Sequence, residues 1–594
     1  MYMNKQECDI LNVLGAEPCS GQRMLAERSG HSLGVVNRAV RSLTEQGYLN
    51  EAMQPTEKAR MLFSERAPRG AVILAAGFGM RMVPINTETP KGLLEVHGER
   101  LIERIIRQLH EVDVRRIYVV VGFMKEQYEY LMDEFGVELI VNRDYASKNN
   151  LHSIELVRDK LKNAYIIPCD IWCRDNPFRA RELYSWYMVS ERMEEDSEVR
   201  VNRKMELVSV PESGAGNAML GICYLLEDEA AVVGDAIRRM GKDARHDGDF
   251  WERALFRKDR MIVRARVVPA EAVVEIDTFE QLRELDGESS HLQSRAIAVA
   301  AQVMGVAEQE IIGITVLKKG MTNRSFLFDC RGQKYIMRIP GEGTDQMINR
   351  REEAAVYGVL AGKGICDDVL YISPENGYKI TAFLDDARVC DPLSEEDVRL
   401  CMEKLRRFHE EKLQVGHKFD IFEKIDYYEA LRESKSIYKD YEKTKANVLS
   451  LRDFVEAHRM EPVLTHIDAV PDNFLFVRDK DGGGEHIRLI DWEYAGMQDP
   501  HVDIAMFCIY ALYDREQIDR LIDLYFPEGC ERRIRIKIYC YVAACGLLWS
   551  NWCEYKRRLG VEFGEYSLRQ YRFAKDYYRI AWTAMAELEE ESHA

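Results

Sequence analysis

The chain has 594 residues, too many for one hydrophobic core, and this length suggests about three to four domains. With 46% hydrophobic and 31% charged residues it has the composition of a globular protein, and its longest apolar runs fall short of the roughly 20 residues that a membrane span needs. The net charge of −18 argues against broad nucleic-acid binding by the whole chain, and 14 cysteines without a C-x-x-C pair indicate reduced thiols in the cytoplasm rather than disulfides or zinc.

Residues 1–66 are predicted to form a small helical domain. Val36, Val40 and Leu43 recur at helical spacing, and Ser32 before them is a suitable N-cap. A shorter helical stretch precedes this helix, and a glycine-containing turn follows it. This order is similar to a winged helix-turn-helix of the kind found in bacterial regulators.

That resemblance implies a face that binds DNA. Asn37, Arg38 and Arg41 would face the major groove. The alternative is a winged helix used for dimerisation or for sensing, because eight Lys and Arg residues in this segment balance eight Asp and Glu residues. DNA-binding domains are usually clearly basic, so charge does not decide between the two interpretations.

Residues 67–290 alternate apolar strands with helices of ten or more residues. This alternation indicates an α/β domain with a mainly parallel sheet. The ligands of such sheets lie at the carboxyl ends of the strands. The apolar runs that carry the prediction are 71–74, 116–122, 137–142 and 164–168.

A loop with two glycines follows the first of these strands. Glycine lets the backbone approach a phosphate chain closely, so that amide hydrogens point at the oxyanions. Fixed positive charge beside the same phosphates comes from an Arg and a Pro-Lys pair about ten residues later, a combination that resembles the signature of nucleoside-triphosphate transferases. The predicted nucleotide-binding residues are Leu74, Ala75, Ala76, Gly77, Gly79, Arg81 and Lys91, the last two also as catalytic residues.

Two acidic residues are predicted to bind magnesium. Asp170 ends an apolar strand, and Asp277 ends the later run Val273–Asp277. A carboxylate in that place can hold Mg²⁺, which neutralises a triphosphate during attack. Residues of about 70–285 most resemble bacterial CTP:phosphocholine cytidylyltransferases, and the two aspartates occupy the places of that family's metal ligands.

The same resemblance suggests where an acceptor binds. Asn149 and Asn150 resemble an asparagine-bearing loop near the substrate, and Trp251 with Glu252 resembles a Trp-acid pair, although the family pattern favours Asp at the last position. A quaternary ammonium accepts no ordinary hydrogen bond, so its site must use aromatic faces and acids. The alternative is that Phe250 and Trp251 are core aromatic residues.

Residues 291–594 begin with a polar linker and three predicted antiparallel strands, 311–317, 324–330 and 334–339. The turn before the second strand ends at Asn323 and suits a loop that covers nucleotide phosphates. Arg338 stands where a kinase small lobe has its basic side chain, and Glu352 or Glu353 would pair with it. Of these two, Glu353 is the predicted nucleotide-site residue.

The segment from His466 to Asn473 has the H-x-D-x4-N spacing of a kinase catalytic loop. Asp468 is predicted to orient and deprotonate the acceptor hydroxyl, and Asn473 to bind Mg²⁺. Asp491 follows a short apolar strand and is predicted to be the second magnesium ligand. The absence of an A-P-E element disfavours a protein substrate.

The sequence I-D-W-E-Y-A-G around Asp491 is similar to choline/ethanolamine kinases and the aminoglycoside phosphotransferase superfamily. Asp503 is predicted to brace the catalytic loop. Trp549 and Trp552 fall on one helical face, able to enclose a trimethylammonium group, and Glu493 would complement its charge. A packed aromatic helix is the alternative.

The sequence therefore predicts a winged helix, a Rossmann-like nucleotidyltransferase domain and a bilobal kinase-like domain. The resemblances imply a cytoplasmic bifunctional enzyme that uses ATP, CTP and Mg²⁺ to convert choline through phosphocholine to CDP-choline, for decoration of a bacterial surface glycan or lipid. Ethanolamine, another amino alcohol or a sugar are alternative substrates. A transcriptional regulator with degenerate enzyme domains is the alternative from another class, and a homo-oligomer is left open.

Overall fold

The computed structural model describes residues 3–79, 82–85, 89–211, 214–292, 294–317, 323–341, 344, 347–478, 484–558 and 563–593. The chain divides into two compact units, Met1–Ser294 and Arg295–Ala594. None of the helices in the described ranges is long and apolar enough to cross a lipid bilayer.

The first unit begins with the predicted winged helix. An isolated bridge between Leu49 and Pro55 closes the wing after the third helix. The core of these helices also contains Leu183, which belongs to the following domain, and the Tyr184 hydroxyl donates to Asp9 Oδ1 at 2.9 Å. The winged helix is thus packed onto its neighbour. Its helices are α1 Lys5–Ala16, α2 Gln22–Ser29, α3 Leu33–Glu45 and α4 Glu57–Glu65.

A large twisted sheet organises the rest of this unit. Its strands follow the order β5-β4-β1-β6-β11-β8-β13-β10-β9, with β12 beside β13. The pairs β2–β3 and β7–β14 lie outside it. The strands are β1 Gly70–Ala75, β2 Glu95–Val96, β3 Glu99–Arg100, β4 Ile117–Val121, β5 Glu138–Val141, β6 Ala164–Pro168, β7 Ile171–Cys173, β8 Trp186–Glu194, β9 Val199–Val201, β10 Glu206–Ser209, β11 Gly216–Leu225, β12 Phe256–Arg257, β13 Arg260–Val268 and β14 Val273–Glu275.

The expectation of a mainly parallel sheet is correct for only half of it. Strands β5, β4, β1 and β6 form a parallel half, whereas among the described strands of the other half only β8 and β13 pair in parallel. There, β11 pairs antiparallel with both β6 and β8, and β10 pairs antiparallel with β13 and β9. The parallel half consists of the strands that alternate with helices, because a parallel connection needs a crossover.

Helices cover both faces of the sheet. In β1, Ile73 packs in one core and Val72 in the other, as the alternation of side chains along a strand requires. The helices are α5 Leu101–Glu111, α6 Leu131–Phe135, α7 Asn150–Leu156, α8 Glu227–Met240 and α9 Phe279–Leu285.

The second unit starts with helix α10 and an antiparallel sheet in the order β15-β16-β17-β19-β18, so the three predicted strands are confirmed. Two short sheets, β20-β22-β23 and β21-β24, carry the catalytic-loop segments between helices. The strands are β15 Ile312–Val316, β16 Asn323–Cys330, β17 Gln333–Pro340, β18 Val369–Ile372, β19 Lys379–Ala382, β20 Arg388–Val389, β21 Val463–Thr465, β22 Phe474–Arg478, β23 Glu485–Leu489 and β24 Gly496–Gln498.

The helices of this unit surround one large hydrophobic core. Helix α18 is its centre, because nearly all of its residues from Ile536 to Lys556 are buried. The helices are α10 Arg295–Met304, α11 Arg350–Leu360, α12 Glu395–Glu410, α13 Ile421–Arg432, α14 Tyr441–Leu449, α15 Arg452–Ala457, α16 His501–Tyr510, α17 Arg515–Tyr525, α18 Arg532–Arg558 and α19 Glu565–His593.

Candidate active sites

In the first unit, the parallel pair β1–β6 brings the glycine loop and Asp170 to one edge of the sheet. Leu74 lies opposite Pro168 in the register, and the Cys169 amide donates to the Leu74 carbonyl at 3.1 Å. The Ile276 amide donates to the Asp170 carbonyl at 2.8 Å, which places the segment after β14 beside the same edge. The strand-end rule therefore assembles the predicted residues correctly.

Lys91 joins the two predicted metal ligands. Its Nζ lies 2.9 Å from Asp170 Oδ2 and 2.6 Å from Asp277 Oδ1. Burial opposes the charge of Lys91, but the ion pairs with both aspartates outweigh it and raise its pKa above the ordinary value. The ammonium group thus remains charged at the centre of the site.

Gly79 makes room for this lysine. Its φ of 64° lies in the left-handed region, and a Cβ added there would come within 2.7 Å of the Lys91 side chain. The second glycine of the loop is therefore required by the approach of Lys91, in addition to any contact with phosphate. Arg81, predicted for the same site, lies outside the described residues.

Glu275 completes an acidic cluster that sequence reasoning missed. One oxygen from each of Asp170, Glu275 and Asp277 can lie within 4.8 Å of the others. Glu275 and Asp277 are two residues apart at the end of β14, and a period of two along an extended segment could have identified the pair. Three carboxylates at this spacing offer the hard oxygen ligands that Mg²⁺ prefers.

Asn149 and Asn150 hold a loop. The Asn149 amide Nδ2 donates to the Gly248 carbonyl at 3.0 Å, and Asn150 Oδ1 accepts from the Trp251 amide at 2.8 Å. Neighbouring Tyr145 lies beside the nucleotide loop, because a Cβ added at Gly122 would meet both Tyr145 and the Ala76 carbonyl at 2.7 Å. The asparagines thus fix residues 248–251 near that loop.

In this held segment, Trp251 is a core residue and Phe250 is not. Trp251 is 1% exposed, with its ring centroid 6.4 Å from that of Tyr187. Phe250, by contrast, is 57% exposed. The choice between the two aromatic residues could not be made from sequence, because neither lies in a periodic element.

Glu252 is an unusual carboxylate. Its Oε1 accepts from the Tyr187 hydroxyl at 3.3 Å, whereas its buried Oε2 has no hydrogen-bond partner among the described residues. Burial raises the pKa of Glu252 to about 7, against hydrogen bonds that favour the charged form. A buried carboxylate of this kind is suited to a cationic ligand.

In the second unit, a β-hairpin and a strand pair assemble the catalytic-loop residues. Phe474 lies opposite Leu489 in the antiparallel pair β22–β23, so Asn473 and Asp491 flank the same end of the hairpin. The Ile490 amide donates to the Asn473 carbonyl at 2.9 Å. The side-chain amide of Asn473, through Nδ2, in turn donates to the Asp468 backbone carbonyl at 2.8 Å and to the Asp468 carboxylate at 3.2 Å.

Asp503 braces the catalytic loop in the predicted manner. Ile467 has a φ of 68°, which is strained for a β-branched residue. The fully buried carboxylate of Asp503 accepts from the His466 amide at 2.9 Å and the Ile467 amide at 2.7 Å. His409 Nε2 lies 3.0 Å from the same carboxylate. These contacts hold the loop in its strained conformation.

The acids of this site repel one another. Burial, followed by the charges of Asp491 and Glu493, raises the pKa of Asp468 to about 8. Burial and the charge of Asp491 also raise the pKa of Glu493 to about 7. Asp491 has a φ of 67° and a pKa raised mainly by burial, which Lys379 and Arg338 partly offset. Such a site favours the arrival of positive charge.

Arg338 forms the predicted ion pair, and its partner is Glu353. Its Nη2 lies 2.9 Å from Glu353 Oε2, and Arg350 Nη1 lies 3.1 Å from the same oxygen. Glu493 accepts from the Asn323 amide at 2.8 Å and lies 3.5 Å from Arg350. Arg350 was missed because nothing in the sequence gives the rotation of α11. Residues 320–322 of the predicted phosphate loop lie outside the described residues.

Trp549 and Trp552 contact the catalytic segment through Tyr494. The Trp552 indole donates to the Tyr494 hydroxyl at 3.3 Å, and the Trp549 and Tyr494 ring centroids lie 5.9 Å apart at 63°. The charges of Glu493 and Asp468 both act on the Tyr494 hydroxyl. The aromatic cluster therefore lies beside the predicted catalytic base.

Three family models match successive parts of the chain. A model described as winged helix-turn-helix DNA-binding matches residues 3–50, and one described as MobA-like NTP transferase domain matches residues 71–183. A model described as choline/ethanolamine kinase matches residues 314–526. The order agrees with the predicted fusion.

Curated relatives make the assignment of the first unit more specific. The chain is 30% identical over 223 residues to choline-phosphate cytidylyltransferase of Streptococcus pneumoniae, a match that covers 36% of this chain and 96% of that protein. The chain belongs to the choline-phosphate cytidylyltransferase family.

Two further relatives are informative. Protein LicA of Haemophilus influenzae is 26% identical over 266 residues, covering 42% of this chain and 96% of that protein. The 2-aminoethylphosphonate cytidylyltransferase of Lancefieldella rimae is 29% identical over 224 residues, covering 36% of this chain and 91% of that protein. Cytidylyltransferases that are similar to this chain are thus named for different acceptors.

Proposed function

We propose that the chain is a bifunctional enzyme that phosphorylates choline with ATP and then transfers CMP from CTP to phosphocholine, giving CDP-choline and pyrophosphate. The observation that carries this proposal is the presence of both sets of predicted side chains in one polypeptide. The kinase reaction makes a phosphomonoester, and the transferase reaction consumes one.

In the kinase reaction, Asp468 orients the choline hydroxyl and accepts its proton. The hydroxyl oxygen then attacks the γ-phosphorus of ATP, the bond from that phosphorus to the bridging oxygen breaks, and ADP leaves. Arg338, held by Glu353, is assigned to the nucleotide, and Asp503 keeps Asp468 in position through the loop backbone. Catalysis by these residues is mainly positioning.

In the transferase reaction, a phosphate oxygen of phosphocholine attacks the α-phosphorus of CTP, and pyrophosphate leaves. The ammonium group of Lys91 stabilises negative charge that develops on the phosphates. We assign the glycine loop from Leu74 to Gly79 to the phosphate chain of CTP. Arg81 is assigned to the same phosphates on sequence grounds alone.

The residues present suit Mg²⁺ in both sites. Asp170, Glu275 and Asp277 would hold it in the transferase, and Asn473 with Asp491 in the kinase, where it would neutralise phosphate charge. The support is the oxygen-only donor set of the first cluster and the mutually repelling acids of the second.

The trimethylammonium group is proposed to bind aromatic faces and acids in each unit. In the kinase these are Trp549, Trp552 and Glu493. In the transferase, the buried carboxylate of Glu252 supplies the charge, and the exposed ring of Phe250 is better placed than Trp251 to supply the face. Asn149 and Asn150 would act by positioning that segment.

The test is to incubate the purified chain with ATP, CTP, Mg²⁺ and choline, and to identify products by mass spectrometry. Phosphocholine with ATP alone and CDP-choline with both nucleotides are expected. Turnover of phosphocholine but not of choline would support the proposed transferase activity and reject the proposed choline kinase activity. No turnover of either would favour the regulator with degenerate enzyme domains.

A second acceptor, 2-aminoethylphosphonate, is tested separately because a relative is named for it. If 2-aminoethylphosphonate is the better acceptor, its kcat/KM with CTP will exceed that of phosphocholine. We favour phosphocholine, because a phosphonate is not the product of a kinase and would leave the second unit without a role. Ethanolamine and a sugar alcohol complete the panel.

Three further assignments belong to the proposal. Helix α3 exposes Asn37, Arg38 and Arg41 for duplex DNA, and a gel-shift of the full chain on upstream DNA without sequence preference would reject this. The 14 cysteines are all free, which supports a cytoplasmic location. CDP-choline would supply phosphocholine for a surface glycan or lipid.

The oligomeric state of the chain would be measured by analytical sedimentation.

A further inference from the structure

Lys556 is a buried lysine on the aromatic face of helix α18. It is 3% exposed, although Arg557 and Arg558 directly after it are exposed. Its ammonium nitrogen lies 5.8 Å from the centroid of the Trp552 ring, within the range of a cation–π contact. Lysine is almost never fully buried unless its charge has a partner, so the groups around its ammonium nitrogen are informative.

The position coincides with the proposed acceptor site of the kinase. Trp552 and Lys556 are one helical turn apart, so the lysine side chain runs back over the turn that carries the indole. The same indole donates to the Tyr494 hydroxyl at 3.3 Å. Burial lowers the pKa of Lys556, and the negative charge of Glu493, the acid proposed to attract choline, opposes that effect.

We propose that the Lys556 ammonium group is an internal cation that occupies the aromatic site when no acceptor is present and is displaced when a quaternary ammonium compound binds. The inference rests on the proposed choline kinase activity and deepens it. One set of aromatic faces and one acid cannot hold two cations at once, because like charges at this distance repel.

Self-occupancy has a definite kinetic consequence. Binding of any acceptor must displace Lys556, so the apparent affinity is reduced by the fraction of molecules in which the site is occupied by the lysine. A quaternary ammonium group is well suited to displace it, because the lysine ammonium is compact and strongly hydrated and is stabilised by water when it leaves. Removal of the lysine charge should therefore tighten acceptor binding without changing the chemical step.

The first test compares Lys556→Met with Lys575→Met as the matched control. Lys575 Nζ lies 5.7 Å from the Tyr571 ring and pairs with Asp440, so the same change there removes a cation–π contact outside the acceptor site. We expect Lys556→Met to lower the KM for choline about tenfold, with kcat and the KM for ATP unchanged. The control variant should match the wild type.

A neutral isostere separates displacement from simple repulsion. In 3,3-dimethylbutanol, a carbon atom replaces the choline nitrogen, so the molecule has nearly the same shape without the charge. If Lys556 occupies the site, the inhibition constant of 3,3-dimethylbutanol against choline should fall in Lys556→Met by the same factor as the KM for choline. A fall for choline alone would show that the lysine only repels cations from outside the site, and would overturn the proposal.

The second test uses the wild-type protein, so it does not depend on folding of a variant. Amine-specific acetylation followed by mass spectrometry should label Lys556 slowly in the free enzyme and several-fold faster at saturating choline, with Lys575 unchanged. Equal labelling of Lys556 with and without choline would overturn the proposal. So would a rise in the KM for ATP in Lys556→Met, which would assign the lysine to the nucleotide.

Failure of this inference can be distinguished from failure of the proposed function. If the wild type does not phosphorylate choline, the kinase proposal itself is wrong. If it does, and the KM for choline is the same in wild type and Lys556→Met, only the internal-cation proposal is wrong.

Discussion

The two candidate active sites handle their acidic residues in opposite ways. In the transferase, Lys91 lies between Asp170 and Asp277, so both of these carboxylates are paired with one cation from the same domain. In the kinase, the charges of Asp491 and the buried Glu493 act on Asp468, and the pKa values of both Asp468 and Asp491 are raised.

This difference indicates how each site depends on ligands. In the transferase site a cation of the same domain already holds two of the three carboxylates before any ligand arrives, so we expect their geometry to change little when substrate binds. In the kinase site Asp468 makes no ion pair among the described contacts, so positive charge that arrives with the metal is expected to relieve its repulsion by Asp491 and Glu493. The predictions below test that contrast, from the largest expected effect to the smallest.

The largest effect is expected at Asp468. Asp468→Asn removes the group that accepts the choline proton, and kcat for choline phosphorylation should fall about a thousandfold. The rate of CDP-choline formation from added phosphocholine and CTP should stay unchanged, which makes the second activity an internal control. Mass spectrometry of both products measures the two effects in one sample. Equal loss of both activities would contradict separate sites.

The reciprocal change is Lys91→Met. Loss of the ammonium group removes stabilisation of phosphate charge and leaves Asp170 and Asp277 facing each other, so transfer of CMP should slow about a hundredfold or more. Phosphorylation of choline should continue at the wild-type rate. Lys125→Met is a matched control, because Lys125 is 45% exposed and pairs only with its neighbour Glu126 among the described contacts. Unchanged CMP transfer in Lys91→Met would reject the proposed role.

Asp503 tests whether backbone support in the kinase is as important as its charge. The Asp503 carboxylate accepts hydrogen bonds from two loop amides, and in Asp503→Asn one of these amides loses its acceptor. The left-handed backbone conformation of Ile467 is then held less firmly. We expect kcat for choline phosphorylation to fall about tenfold while the KM for ATP changes little. Asp514→Asn, at the exposed N-cap of α17, is the control. A change in KM without a change in kcat would argue against a positioning role.

The sequence was most informative where function depends on strand ends and fixed spacings. Asp170, Asn473 and Asp491 lie at strand ends as predicted, because the ends of paired strands must lie together. It was least informative about rotation and burial. Whether Arg338 pairs with Glu352 or Glu353 depends on the rotation of α11, which a short charged stretch does not reveal.

Burial explains the remaining differences. Phe250 and Trp251 are adjacent aromatic residues, and only the packing against Tyr187 decides that the second one is in the core. Lys556 follows a run of buried residues and would be read from sequence as the solvent-exposed end of its helix. Side chains of this kind are assigned by tertiary contacts between distant segments, and no local pattern encodes those contacts.

The last prediction concerns stability rather than rate, and it comes from Glu252. The folded-state pKa of this carboxyl is raised to about 7 from an ordinary value of 4.5. The neutral acid is therefore favoured by folding, and its contribution is present at low pH and lost as pH rises from about 4.5 to 7. A shift of this size corresponds to about 3 kcal/mol.

Glu252→Gln should remove the loss of folding stability that the wild type shows as pH rises. We expect the variant to unfold at a higher temperature than the wild type at pH 8, with the difference shrinking towards pH 5, as measured by calorimetry of the transferase transition. The KM for phosphocholine should rise in the same variant, because the carboxylate that attracts the cation is gone. Glu271→Gln, at an exposed position in the turn before β14, controls for the substitution itself. A variant that is less stable than the wild type at pH 8 would show that the charged carboxylate has partners that stabilise the fold.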